Sequence, residues 1–142
     1  MTGIFTESAI HQKSPQEITA LLYEACLTNL EEAIEDITNK DYVFANKKLQ
    51  KANDIFHRLG AGLNYEAGII ADQLDVLYNY MADKVVEANL HKDVSIVKEV
   101  LQIVEDLSSS WNQAMQNKHA DPKAAIRQKA LAYEKNVFME DN

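Results

Sequence analysis

The sequence predicts an all-α fold: an antiparallel up-and-down four-helix bundle with a short fifth helix at its C-terminal end. Three observations predict it. Only four Gly and two Pro punctuate 142 residues, too few for the many turns of a β sandwich. Apolar residues recur at helical spacing through four long stretches, the period of a helix that buries one face. The breaks between those stretches span only a few residues, and short connections make successive helices antiparallel neighbours.

The first helix starts at Ser14-Pro15-Gln16-Glu17, where a capping box coincides with Pro at the first helical position. Ile18, Leu21, Leu22, Ala25, Ala33 and Ile37 carry its apolar period until Asn39, Lys40 and Asp41 interrupt it. Tyr42, Ala45, Leu49, Ala52, Phe56 and Leu59 form the second face, closed by Gly60 and Gly62. The third helix begins between Asn64 and Ala67 and carries Ile70, Leu74, Leu77, Tyr78, Met81, Val85 and Ala88 to about Leu90. Asp93 caps a fourth helix with Val97, Leu101, Val104, Trp111 and Met115 in step, supported by Val100 and Leu107. Asp121-Pro122 is another cap-and-start signature, followed by Ile126, Ala130, Tyr133 and Val137. The organisation is thus an N-terminal segment over 1–13, a bundle over 14–116, and a linker with the fifth helix over 117–142.

Hydrophobic residues at 46% and charged residues at 25% suffice for one core, while a net charge of −8 opposes a phosphate backbone. No basic cluster interleaved with aromatics offsets that charge, so no nucleic-acid partner is expected. The start Met1-Thr2-Gly3 lacks a basic region leading into an apolar run, and no stretch approaches the roughly 20 apolar residues of a membrane span. The expectation is a cytoplasmic protein without membrane insertion. Cys26 stands alone in an apolar stretch and reads as a small buried hydrophobe.

Catalytic chemistry finds little support. A di-iron bundle needs two Glu-x-x-His pairs, whereas Asp54 to His57 is a single Asp-x-x-His and His119 sits in a polar linker. There is no Gly-rich phosphate loop, Cys-x-x-Cys or His-Glu-x-x-His, so the expectation is a non-enzyme with no metal and no cofactor. Glu31, Glu32, Glu35 and Asp36 read as a solvated helix face. Lys47, Lys51 and Arg58, with Asp54 between them, read as either plain surface or an electrostatic docking patch.

The informative anomaly is apolar surplus. Beside its first stripe, helix one carries Tyr23, Leu27, Leu30 and Ile34, and helix three adds Ile69, Val76 and Tyr80 away from its Leu74, Leu77 and Met81 side. A helix apolar around most of its circumference is covered on more than one side. The cover is the chain's own terminal segments, a second copy forming a homodimer, or a different partner laid into grooves. Ile4 and Phe5, with Ile10, make the N-terminal segment a candidate displaceable lid.

The segments Ser14-Pro15-Gln16-Glu17-Ile18, Leu21-Leu22-Tyr23-Glu24, Leu77-Tyr78-Asn79-Tyr80-Met81 and Ala88-Asn89 resemble, in order and spacing, those of the flagellar secretion chaperone FliS family. The likeness continues through Val100, Leu101 and Trp111 to about Met115. Glu24-Ala25 stands where the family frequently has Asp-Gly, and Ala82-Asp83-Lys84-Val85 replaces a common basic pair before Leu. The resemblance implies a cytosolic export chaperone that binds the C-terminal segment of flagellin, prevents premature polymerisation and delivers the subunit to the flagellar type III export gate. On that reading Tyr23, Leu27, Leu30, Ile34, Ile69, Val76 and Tyr80 are the candidate groove residues, while Leu77, Tyr78 and Met81 belong to the core by helical phase. The competing reading is a self-associating helical-bundle adaptor that binds no flagellin.

Overall fold

The computed structural model describes residues 14–62, 69–117 and 121–140, with side chains described for 14–62, 72–117 and 121–133. All five elements are helices: α1 (Pro15–Thr38), α2 (Tyr42–Ala61), α3 (Ile69–His91), α4 (Val94–Gln116) and α5 (Pro122–Glu140). α1 packs on α2 and α4, α2 on α3, and α3 on α4, closing a four-membered ring. α5 lies outside that ring against both α3 and α4. The expected bundle with an added C-terminal helix is the observed architecture.

Local chemistry sets the helix starts. Ser14 Oγ accepts from the Glu17 amide at 3.1 Å, and Pro15 takes the first helical position. Asp93 accepts from the Ser95 amide at 2.9 Å and Asp121 from the Lys123 amide at 3.0 Å. Each satisfies an amide that the helix geometry leaves without an internal partner.

Two of the corners share one design that the sequence reading did not foresee. After α1, the Asp41 amide donates to the Asp36 carbonyl and the Lys40 amide to that of Ile37. This is a Schellman closure with Lys40 in the left-handed region at φ 62°. After α3, Lys92 holds the same place at φ 50°, and the Asp93 amide donates to the Ala88 carbonyl. Of the two glycines expected to close α2, Gly62 is its C-cap, while the helix runs through Gly60 to Ala61. Gly60 is buried instead, and a Cβ there would stand 3.4 Å from Asp75 Oδ1 on α3.

The core runs the length of the ring, with Cys26, Leu30, Leu49, Phe56, Leu77, Met81, Val97, Val104 and Leu107 among its buried side chains. Burial pushes the Cys26 thiol well above its ordinary 9.0, in keeping with an inert packing role. Leu77, Tyr78 and Met81 are buried, as their phase predicts. In α1 the buried line is Tyr23, Cys26, Leu30, Ala33 and Ile37, spaced 3, 4, 3 and 4 residues apart. Leu22 and Ala25, expected on the core side, are only partly buried.

Candidate partner-binding surface

The 3-4 spacing that buries one line of α1 divides the proposed stripe. Tyr23 and Leu30 are interior, 1% and 0% exposed, so no groove residue role at the surface falls to them. Leu27 and Ile34 remain half-buried, packed against the core from its margin. On α3, Val76 is exposed, and Tyr80 is half-buried with its hydroxyl donating to Glu99 on α4 at 3.1 Å. The Ile69 side chain and the Ile4–Phe5 lid lie outside the described residues. Residues 23, 26, 30, 33 and 37 form one unbroken 3-4 seam in the sequence, but periodicity alone does not say that this seam is the one facing inward.

Beneath the surface an aromatic cluster ties three helices together. Tyr23 and Tyr78 hydroxyls meet at 2.6 Å, and the Tyr23 ring stands edge-on to Trp111 with centroids 6.3 Å apart. Trp111 Nε1 donates to the Gln16 carbonyl at 2.9 Å, fastening the first turn of α1 to α4. Both phenols are held neutral chiefly by burial, which raises their pKa values.

Between α1 and α2 runs a groove of about 430 Å³ whose lining includes Leu21, Leu22, Ala25 and Ile55. Its charged residues are segregated: Glu24 and Glu32 come from α1, whereas Lys48, Lys51 and Arg58 come from α2 with Asp54 among them. One ion pair, Lys48 to Glu32, bridges the two sides. Lys51, Asp54 and Arg58 thus line one groove, while Lys47 stands over the Phe44 ring at 5.6 Å. The cue available in the sequence was the 51, 55, 58 spacing, which puts Ile55 on the same side as Lys51 and Arg58.

A second apolar feature went unread in the sequence. Where α2 begins and α3 ends, Val43, Phe44, Val86 and Leu90 are exposed at 70%, 57%, 56% and 77%. The Asn89 side-chain Nδ2 on α3 donates to Asn46 Oδ1 on α2 at 2.7 Å, which fixes these two helix ends side by side. Among the described residues no group of three or more His, Cys, Asp or Glu side chains is placed to hold a metal ion. Nor, among them, is any helix long and apolar enough to cross a membrane.

Grooves, exposed apolar side chains and a rigid aromatic interior suit recognition of another chain more than chemistry on a small molecule. Comparison with known proteins agrees. The chain is 31% identical over 117 residues to the flagellar secretion chaperone FliS of Bacillus subtilis, covering 82% of this chain and 87% of that protein. It is 31% identical over 127 residues to the flagellar secretion chaperone FliS of Salmonella typhimurium, covering 88% and 90%. The Vibrio cholerae protein of the same name is 27% identical over 111 residues, covering 78% and 82%. The family model described as flagellar protein FliS matches residues 5–118, the whole of the four-helix ring, and the chain belongs to that family.

Proposed function

We propose that this chain is an export chaperone for flagellin, binding the client's C-terminal segment in the cytoplasm, blocking its premature polymerisation and presenting it to the flagellar export gate. The observation that carries this reading is the family match over residues 5–118, joined by relatives whose names describe flagellar secretion chaperones. The surface supports it physically. A segment that packs only in a filament exposes apolar helix faces as a monomer, and half-buried Leu27, Ile34 and Tyr80 at the margin of the core offer apolar surface to cover them.

The client folds onto the bundle as it binds, distributed over several shallow anchors rather than one deep pocket. Such coupled folding buries about 1,000–3,000 Å² and spends roughly 2–5 kcal/mol or more on ordering, so the complex is tight yet releasable. Leu27, Ile34, Val76, Tyr80 and Ile69 serve as contacts, while Tyr23 and Leu30 support them from within. Ile4 and Phe5 act as a lid that the client displaces.

Calorimetric titration of a flagellin C-terminal peptide, followed in parallel by Trp111 fluorescence, tests the reading. Saturable binding is expected. Absence of binding at about tens of micromolar, with the protein folded by circular dichroism, rules against it.

A further inference from the structure

The groove between α1 and α2 carries charges that the fold leaves unanswered. Its α1 wall presents Glu24 and Glu32, and its α2 wall Lys48, Lys51 and Arg58 with Asp54 among them. The Lys48 to Glu32 pair joins the two walls. Among the described residues, the Glu24, Lys51, Asp54 and Arg58 side chains take no ion pair or hydrogen bond. One wall is left acidic and the other, on balance, basic.

Between the walls the face is apolar. Leu21, Leu22 and Ala25 are half-buried, and Ile55 is buried at the floor. Phe44, 57% exposed, shares one α2 stripe with Lys51, Ile55 and Arg58, at i, i+7, i+11 and i+14. The charges also match in height. Glu24 lies eight residues before Glu32 on α1, and Arg58 ten residues after Lys48 on the antiparallel α2. At 1.5 Å per residue, both stand at the same end of the groove, about 12 and 15 Å from the ion pair.

We propose that the α1–α2 face is a self-complementary surface on which a second copy of this chain docks, about a two-fold axis running along the groove. Rotation about that axis sets α1 of each protomer opposite α2 of the other. Glu24 then faces the partner's Arg58, and the same pair forms again on the far side of the axis. Leu21, Leu22, Ala25 and Ile55 of both chains close into a small second core among four helices. A two-fold axis across the groove would instead set α1 on α1, acid against acid, so charge selects the first arrangement. Two helices about 10 Å apart along an α2 about 30 Å long offer roughly 600 Å² per chain, about 1,200 Å² for the pair, which is the low end of specific interfaces. Long-range repulsion between two chains of net charge −8 weakens the contact further, so the dimer is reversible. The inference stands apart from the flagellin reading, because no client enters its test.

That test is sedimentation equilibrium of the full chain. The unsubstituted protein is expected to dimerise with a dissociation constant of about tens to hundreds of micromolar. Glu24→Arg and Arg58→Glu each set like charges face to face and are expected to weaken association by at least about tenfold. Mixed in equal amounts, the two variants recover the affinity of the unsubstituted chain to within about threefold, because opposite charges meet again at both pairs. Glu24→Arg with Arg58→Glu on one chain restores self-association likewise. Both positions are exposed, so circular dichroism stays unchanged. Net charge alone predicts the opposite for Glu24→Arg, which makes the chain less acidic and would tighten association. The proposal is overturned if the unsubstituted chain is monomeric at about 1 mM, if either single variant associates as tightly as it does, or if the mixture stays monomeric.

Discussion

The hydroxyls of Tyr23 and Tyr78 lie 2.6 Å apart in the interior and join α1 to α3, helices that are not neighbours in the ring. Both rings are nearly inaccessible, so each hydroxyl is the other's replacement for water. Removing one hydroxyl strands its partner, whereas removing both leaves an apolar contact. Tyr23→Phe or Tyr78→Phe is expected to cost about 1–3 kcal/mol, and the double Phe variant distinctly less than the sum. Urea unfolding of the four proteins measures the coupling. Simple additivity would mean that the two hydroxyls do not interact.

The same pair sets an alkaline limit on stability. Burial is the largest cause holding both phenols neutral, and for Tyr78 the hydrogen bond to Tyr23 works in the opposite direction. A group whose folded pKa stands above its ordinary 10.0 contributes stability in full below about pH 10 and loses it as pH rises through the folded value. The urea midpoint is therefore expected to hold level up to about pH 10 and decline beyond it. The double Phe variant removes most of that decline. Tyr133, raised by burial and by Asp106, retains a share.

Lys40 and Lys92 occupy left-handed positions where Gly is the usual residue. Lys40→Gly relieves the Cβ contact of that conformation and is expected to stabilise by about 0.5–1 kcal/mol, part of the relief being offset by glycine's greater freedom when unfolded. Lys92→Gly should gain less, because the Lys92 ammonium donates to the Asn89 carbonyl at 2.8 Å and to the Asn89 side chain. Thermal melts of the two variants decide the order. Equal gains would show that the Lys92 contacts contribute nothing.

What the sequence revealed follows from where the information lies. Helix starts at Ser14, Asp93 and Asp121 were legible because caps are local chemistry. The Schellman corners were not, because Lys40 and Lys92 carry no compositional sign of a left-handed backbone. Tyr23 and Leu30 were assigned to an outer stripe because i, i+4, i+7 and i+11 spacing describes several faces equally well. Only the packing of α2 and α4 on either side of α1 selects the line that points inward. The nearness of exposed Val43 and Phe44 to the helix end bearing Val86 and Leu90 depends on Asn46 and Asn89, 43 residues apart, meeting across two helices, a relationship no local period contains.

That burial pattern separates surface from scaffold in the client-binding reading. Leu27→Asp and Val76→Asp place charge on half-buried or exposed positions, so the bundle is expected to keep its fold. Leu30→Asp puts an unpaired carboxylate where nothing is exposed, and it should unfold the chain. With a flagellin C-terminal peptide, each of the first two substitutions is expected to weaken binding by about tenfold, equivalent to about 1.4 kcal/mol, with thermal midpoints little changed. Calorimetry on folded variants measures it. Unaltered affinity in both would place the client elsewhere, and the charged groove between α1 and α2, probed by Lys51→Glu and Arg58→Glu, is then where the loss of binding should be found.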